Sequence, residues 1–235
     1  GLGDKIVGVT ENDDYPEEVL EIEKVGDYDV NVEKVISLKP DLVLAHEILG
    51  DNFANVREQW QNSGITVLVV PDAASFADTY ETIEMIGKAT GTLEEAEKVV
   101  AEMKETVESF KEKAANVTEK KSVLFEIDPT PFVAGSNTFL QEILDMINGE
   151  NVVGDMEGWP QVDQELLIER NPDVIITTYG DYIDGAVDQV KARDGWQDVN
   201  AVKNNEVYDI NSDLVTVPGP RLVEGVEEVA KAVYP

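Results

Sequence analysis

The chain has 235 residues, of which 42% are hydrophobic and 29% charged, and its 49 acidic against 18 basic residues give a formal net charge of −31. A field this negative repels nucleic acids and anionic membranes, so both are excluded as direct partners. The acidity itself is interpreted as an adaptation of the surface to a salty or alkaline exterior, and the alternative is a role in attracting a cationic ligand. The sequence has no cysteine, which excludes disulfides, thiolate catalysis and cysteine-ligated zinc.

Short apolar runs alternate with helical patterns along the first ninety residues. Strands are predicted over residues 5–9, 41–45 and 65–70, where β-branched or apolar runs end at turn-forming residues. Helices are predicted over residues 51–63 and 75–90. This alternation indicates an α/β lobe with a parallel sheet.

The longest predicted helix follows. Thr92 and Glu95 have the spacing of a capping box, and apolar residues then recur every three or four positions, as they do on one face of a helix. Beyond it, strands are predicted over residues 122–127, 173–178 and 206–210, with helices over 138–147 and 220–233. The expected organisation is an N-terminal α/β lobe (1–91), a connecting helix (92–117) and a C-terminal α/β lobe (118–235).

One motif occurs twice. Residues 33–45 read EKVISLKPDLVLA and residues 165–177 read ELLIERNPDVIIT, with the Glu, the Pro-Asp pair and the apolar triplet in register. Val-Gly-Asp stands upstream of both copies, at residues 25–27 and 153–155. The distance between the copies is too long for a solenoid repeat. Two related lobes with a cleft between them are the better interpretation.

Ligands of open α/β sheets bind beyond the carboxyl ends of the strands. The loops expected there contain several aromatic side chains and the only histidine: Tyr15, His46, Phe76, Phe132, Trp159, Tyr179 and Tyr182. Aromatic rings with a polar tip suit a large, partly apolar ligand. The alternative is that some of these rings close the lobe cores from above.

Motifs for catalysis are missing from the sequence. It has no phosphate-binding GxxxxGK[ST] loop, no GxGxxG after a strand, and no HExxH or GxSxG. A metal site at His46 is disfavoured because zinc sites usually require several histidines or cysteines. The sequence therefore predicts a binding protein and not an enzyme.

Five stretches resemble the helical-backbone substrate-binding proteins of bacterial ABC importers, the receptors for cobalamin, ferric siderophores and haem: VGVTENDDYP (7–16), SLKPDLVLA (37–45), NGENVVGDMEGWPQV (148–162), LIERNPDVIIT (167–177) and PGPRLVEGVEEVAKAV (218–233). The resemblance covers nearly the whole chain and is greatest to the cobalamin-binding branch. It implies two α/β lobes with mainly parallel sheets joined by one long helix, whose stiffness limits closure of the cleft.

The resemblance also implies a set of ligand-binding residues. Tyr15, His46, Trp159 and the segment 212–215 would line the cleft, although the cobalamin branch tends to carry tryptophans where this chain has His46 and Leu214. With the aromatic residues of the loops, the predicted ligand-binding set is Tyr15, His46, Phe132, Trp159, Tyr179, Tyr182, Asp213 and Leu214. No cofactor is predicted.

Members of this family dock on their permease through a surface glutamate on each lobe. The matching positions here carry Ala54 and Thr216, so the expected substitutes are the acidic residues Asp51, Glu58 and Asp213. The resemblance further implies an extracytoplasmic location, in the periplasm or as a cell-surface lipoprotein, although the sequence shows no signal peptide.

The chain departs from the family at its start, where members carry a strand, a loop and a helix ahead of the stretch that matches residues 1–9. The expectation is an N-terminal lobe with a partly uncovered core, weakened ligand binding and self-association through the exposed surface. A chain that keeps the fold without activity is a further expectation.

The predicted function is that of an ABC-importer receptor that captures a cobalamin or an iron complex (siderophore or haem) in the interlobe cleft and delivers it to a permease. One alternative is a receptor for a bare zinc or manganese ion, which would require convergent His and carboxylate ligands. The other is a two-lobed transferase-like enzyme.

Overall fold

A computed structural model describes residues 1–27, 29–46 and 53–235. The chain divides into two compact units. Unit 1 comprises Gly1–Asp72 and Met85–Glu95, and unit 2 comprises Ala73–Glu84 and Ala96–Pro235. The domain boundaries expected after residues 91 and 117 stay a prediction. None of the described helices combines the length and the apolarity that a membrane crossing requires.

Unit 1 is built around a two-stranded parallel sheet. Strands β1 (Leu42–His46) and β2 (Thr66–Val70) pair from Leu42 opposite Thr66 to His46 opposite Val70. Helices α1 (Val32–Leu38) and α2 (Phe53–Asn62) cover this sheet, and the buried core consists of Val35, Ala45, Phe53, Trp60 and Ile65. The next two helices, α3 (Phe76–Thr90) and α4 (Leu93–Ala114), each contribute residues to both units.

The strand predicted over residues 5–9 is wrong. A short 3-10 helix occupies Gly3–Lys5, and the rest of the segment pairs at a single parallel bridge between Val9 and Lys24. Two backbone hydrogen bonds hold this bridge, from the Val9 amide to Glu23 O (3.1 Å) and from the Val25 amide to Val9 O (2.9 Å). An apolar run becomes a strand only where a neighbouring strand pairs along it, and among the described residues no strand pairs along this one.

Unit 2 contains a larger sheet with the strand order β4-β3-β6-β7, in which β5 also pairs with β3. Only β4 is antiparallel to β3; β5, β6 and β7 extend the sheet in parallel. The strands are β3 (Ser122–Asp128), β4 (Phe132–Val133), β5 (Glu150–Asn151), β6 (Val174–Thr177) and β7 (Val207–Asp209). The helices that follow α4 are α5 (Phe139–Met146), α6 (Gln164–Arg170), α7 (Ala186–Lys191), α8 (Asn200–Lys203), α9 (Asp213–Thr216) and α10 (Leu222–Val233).

Both faces of this sheet are buried. Along β3, Val123 and Phe125 pack into one apolar cluster and Leu124 packs into another, and β6 alternates in the same way. Strands of a parallel sheet that is covered on both faces have continuously apolar sequences. This is why SVLF and VIIT could be assigned as strands from the sequence.

The repeated motif forms the same local structure in both units. Helices α1 and α6 are each seven residues long and end at a residue in the left-handed conformation, Lys39 (φ 52°) and Asn171 (φ 47°). Proline follows each of them because it cannot continue the helix, and the chain then enters β1 or β6 through Asp41 or Asp173. The two-lobe interpretation of the repeat agrees with this geometry.

The aspartate of the second copy joins two strands. The Asp173 carboxylate accepts hydrogen bonds from the Ser122 amide (3.1 Å) and hydroxyl (2.9 Å) and from Asn200 Nδ2 (3.1 Å). Burial tends to raise the pKa of Asp173, but these hydrogen bonds outweigh it and the pKa lies below its ordinary value. The carboxylate therefore fixes the starts of β3 and β6 against each other.

A loop beside this sheet is held by backbone pairing. Residues 156–161 run along residues 132–136 through bridges between Ser136 and Glu157 and between Phe132 and Gln161. Gly135 is required there, since a Cβ at this position would lie 2.2 Å from Met156 O. The pairing holds the backbone of Trp159, which lies within this loop.

We expect Asp173→Asn to lower the free energy of unfolding by about 1–2 kcal/mol at pH 7, because the amide satisfies the three donors less well than the carboxylate. A lowered folded-state pKa stabilises the fold above the unfolded value of about 3.9, and this contribution is lost as the pH falls through the folded value. In urea unfolding, the difference in the free energy of unfolding between wild type and variant should therefore become smaller as the pH is lowered from 7 to 3. Exposed Asp198→Asn is the control, and a difference that stays constant down to pH 3 would contradict the assignment.

We expect Gly135→Ala to force the paired segments apart and to cost about 1–3 kcal/mol of stability, as overpacking generally does. Trp60 and Trp196 are buried while Trp159 is exposed, so acrylamide quenching of tryptophan fluorescence reports mainly on Trp159 and should increase. The control is Gly219→Ala, whose Cβ would meet no atom within 4 Å. Unchanged stability together with unchanged quenching would show that the close approach does not hold the loop.

Candidate ligand-binding site

The carboxyl ends of β3, β6 and β7 meet at one edge of unit 2 and border a hollow of about 400 Å³. Its lining consists of two aromatic rings, one aliphatic side chain and three residues with hydroxyl groups: Trp159, Tyr182, Ile127, Thr178, Ser212 and Thr216. Parallel strands present their carboxyl ends at the same edge, which is where ligands of α/β sheets bind.

Trp159 and Phe132 belong to the two paired segments beside this edge. The Trp159 side chain is 43% exposed and lines the hollow. Phe132 lies on β4, is 36% exposed, and is bridged to Gln161. Because backbone pairing holds its loop, the backbone that carries Trp159 is pre-organised for contact with a ligand.

Tyr182 is the most exposed aromatic residue of unit 2 that the structure describes, at 63%. Its hydroxyl donates to Ile127 O at 3.1 Å, which ties the loop after β6 to the end of β3. Partial burial, followed by the negative charges of Asp128 and Asp209, raises its pKa above the ordinary value. The ring is therefore a neutral surface with a fixed polar end at physiological pH.

Tyr179 does not belong to the lining of the hollow. The side chain is 1% exposed, and its hydroxyl donates to Glu126 Oε1 at 2.5 Å. Burial first, and then the hydrogen bond to Glu126, raise the pKa of Tyr179 well above its ordinary value. Tyr179 thus contributes to the support of the site in this structure, and its ring lies 6.3 Å from that of Tyr182.

The segment predicted around Asp213 and Leu214 reaches the hollow through its neighbours Ser212 and Thr216. Asp213 Oδ2 lies 3.6 Å from Arg221 Nη2 in an ion pair, and Leu214 packs partly buried against the core. Three lining residues, Ile127, Thr178 and Thr216, fall outside the predicted ligand-binding residues. Ile127 and Thr178 each directly precede a predicted loop, so an assignment that included the last residue of each strand would have found both, and Thr216 directly follows the predicted segment 212–215.

The remaining predicted residues lie in unit 1. Tyr15 is exposed, and His46 ends β1 with its Nε2 atom 3.7 Å from Asp72 Oδ1. Glu58, a predicted docking residue, is exposed on α2, whereas Asp51 lies outside the described residues. Within the described ranges, no three His, Cys, Asp or Glu residues come together in a way that could hold a metal ion.

A second hollow in unit 2, of about 650 Å³, lies beside the start of α6 and contains none of the predicted site residues. Its lining includes the carboxylates Asp163 and Glu165 together with Thr130, Pro131, Met156, Gln161, Val162, Gln164 and Leu166. The hollow at the carboxyl edge of the sheet agrees better with the sequence prediction because it includes Trp159 and Tyr182.

Three comparisons bear on this architecture. The chain is 50% identical over 239 residues to an uncharacterized ABC transporter substrate-binding lipoprotein of Bacillus subtilis, covering all of the chain and 75% of the relative. It is 31% identical to a vitamin B12-binding protein of Vibrio parahaemolyticus, covering 98% of the chain and 82% of the relative. A crystal structure of a possible iron-binding, periplasmic solute-binding protein from Staphylococcus epidermidis matches with a TM-score of 0.87 at 33% identity, covering the whole chain and 93% of that protein.

These relatives confirm the predicted fold class of two α/β lobes with mainly parallel sheets and a long connecting helix. They also confirm, at the level of the family, a substrate-binding role in ABC transport, the absence of an enzymatic role and an extracytoplasmic location. Residues 1–214 match the family described as periplasmic binding protein, and the chain belongs to this family.

Proposed function

We propose that the chain binds cobalamin or an iron complex at the aromatic hollow of unit 2 and delivers it to an ABC permease. The observation that carries this proposal is the hollow of about 400 Å³ at the carboxyl ends of the sheet, with Trp159 and Tyr182 in its lining. The similarity to a vitamin B12-binding protein, at 31% identity over nearly the whole chain, supports the same ligand class.

The lining suits a large ligand that is apolar on its faces and polar at its edge. Aromatic rings provide apolar contact area, while hydroxyl groups fix the orientation by hydrogen bonds. Thr178, Ser212 and Thr216 provide those hydroxyl groups here. A corrin ring with amide side chains has this character, and so does an iron complex wrapped by a hydroxamate siderophore.

Charge favours a neutral or cationic ligand. The residues that line the hollow include no lysine or arginine, and the carboxylates of Asp128 and Asp209 lie close enough to raise the pKa of Tyr182. An anionic ligand, such as haem with two propionates, would meet like charge without a cation to pair with. Within the proposed class, aquocobalamin or a cationic ferric hydroxamate is therefore favoured over haem.

The alternative functions have less support. A bare zinc or manganese ion would require a convergent set of ligands, which the described residues do not form. The transferase-like alternative is wrong, because the family consists of binding proteins.

The permease would be contacted through acidic side chains, and Glu58 and Asp213 are the described candidates, with Asp51 outside the described residues. Glu58 is solvent-exposed on α2. The negative charge of Asp213 is partly neutralised by its ion pair with Arg221. The lipoprotein character of the Bacillus subtilis relative supports a membrane-anchored, extracytoplasmic location for this receptor.

We expect calorimetric titration to detect saturable binding of aquocobalamin or ferrioxamine B at micromolar or tighter affinity, with weaker binding of haemin. Trp159→Ala should weaken that binding at least about 10-fold, because large aromatic contacts dominate binding energies. Leu93→Ala, which removes an exposed apolar side chain at the start of α4, is the control and should leave the affinity unchanged. Absence of binding for all three probes would refute the proposed function, and equal loss in both variants would place the ligand elsewhere.

We also propose that copies of the chain associate through unit 1, whose exposed apolar side chains include Ile6, Val7, Leu20 and Leu44. The net charge of −31 opposes association at low salt, and screening shortens the range of this repulsion from about 10 Å at 0.1 M to about 3 Å at 1 M salt. Sedimentation velocity should therefore show a dimer at 1 M NaCl that Leu44→Glu abolishes and Val217→Glu, at an exposed site of unit 2, does not. A monomer at both salt concentrations would refute this association.

A further inference from the structure

A fully buried carboxylate precedes Ile127, one of the residues that line the hollow, on β3. Glu126, on β3, has no exposed surface although its neighbours on the strand are apolar. Burying an unpaired carboxylate is very costly, so its partners determine whether the arrangement is stable. Both oxygens are satisfied: Arg193 Nη1 donates to Oε2 at 2.7 Å, and Arg193 Nη2 and the Tyr179 hydroxyl each donate to Oε1 at 2.5 Å.

The two partners of Glu126 come from opposite ends of one chain segment. Tyr179 lies two residues after the end of β6, and Arg193 lies 14 residues later, two residues after the end of α7. Because both residues bind the same carboxylate on β3, the two ends of the segment between them are held close together. Glu126, Tyr179 and Arg193 are referred to below as the buried clamp.

The segment that the buried clamp closes carries Tyr182. Within it, the amides of Tyr182 and Ile183 donate to Tyr179 O at 3.2 and 2.9 Å, and the amide of Gly180 donates to Asp209 Oδ1 at 3.0 Å. The Tyr182 hydroxyl returns to β3 at Ile127 O, adjacent to Glu126. The position of the exposed ring is thus determined by contacts that start at the clamp.

We propose that Glu126, Tyr179 and Arg193 are positioning residues that hold Tyr182 in place as a wall of the ligand site. The proposal rests on the proposed function, since it assigns the clamp a role in binding through Tyr182. The clamp itself touches no ligand: Glu126 and Tyr179 are buried, and only 12% of the Arg193 side chain is exposed.

The energetics of buried ion pairs support a positioning role over a purely stabilising one. An apolar set of similar volume is often as stable as a buried ion pair or more so, and the best-attested use of such pairs is to fix one arrangement among several. The bidentate geometry of Arg193 adds directional specificity that an apolar contact does not supply. The side chain also lies over the ring of Trp196, with its Cζ 5.0 Å from the ring centroid, which further restricts its orientation.

The test compares Tyr179→Phe with Tyr208→Phe. Both changes remove a hydroxyl that donates to a carboxylate at 2.5 Å, but the Tyr208 hydroxyl binds Glu206 and not the clamp. In hydrogen-exchange mass spectrometry, Tyr179→Phe should accelerate exchange over residues 178–193 while β3 and β7 stay protected, and Tyr208→Phe should not. Arg193→Lys retains the charge but loses the bidentate hydrogen bonding to Glu126. Like Tyr179→Phe, it should accelerate exchange over residues 178–193.

Binding of aquocobalamin separates positioning from general stabilisation. Tyr179→Phe should weaken the Kd about 10-fold, and the loss should disappear when Tyr182 is already Ala, because two residues that act through one contact are not additive. An equal loss in the Tyr182→Ala background, or unchanged exchange over residues 178–193, would overturn the proposal. If the wild type binds neither aquocobalamin, ferrioxamine B nor haemin, the proposed function fails, and the exchange data alone then decide whether the clamp orders the segment.

Discussion

The parallel pairing of β3, β6 and β7 is the constraint from which the candidate site follows. Strands that run in the same direction must end at the same edge, so residues far apart in sequence, such as Ile127, Thr178 and Ser212, become neighbours there. The hydrogen bonds of Asp173 to Ser122 align the starts of β3 and β6. The pairing register, with Glu126 opposite Thr177 and Thr177 opposite Asp209, then fixes the relative heights of the strand ends, and with them the shape of the hollow.

Two different kinds of interaction stabilise the two parts of the sheet in unit 2. The centre of the sheet is stabilised by burial of apolar side chains on both faces. The hydrophobic effect is strong but non-directional. Directional hydrogen bonds take over at the carboxyl edge, where Glu126, Asp209 and the backbone of Ile127 each anchor a part of the loop after β6. A binding surface benefits from this arrangement, since it must keep one shape while exposed to water.

Most of the fold could be predicted from the sequence, because apolar periodicity and the repeated Pro-Asp motif are local signals. The strand expected over residues 5–9 shows the limit, since strand formation depends on a partner that no local pattern reveals. The site shows a second limit: Tyr179 and Tyr182 look equivalent in sequence, yet they are 1% and 63% exposed. The difference in exposure arises because the Tyr179 hydroxyl binds the buried Glu126, which also pairs with Arg193. Only the three-dimensional structure reveals this contact.

The unequal sheets of the two units have a consequence for how the chain loses its structure. In the described part of unit 1 there are two strands and a small apolar core, whereas unit 2 has five strands between two apolar clusters. Regions with little buried apolar surface open at lower free energy than well-packed ones. Unit 1 is therefore expected to unfold at a lower free energy than unit 2. When it does, unit 2 stays folded and keeps the aromatic hollow, whose lining residues all belong to it.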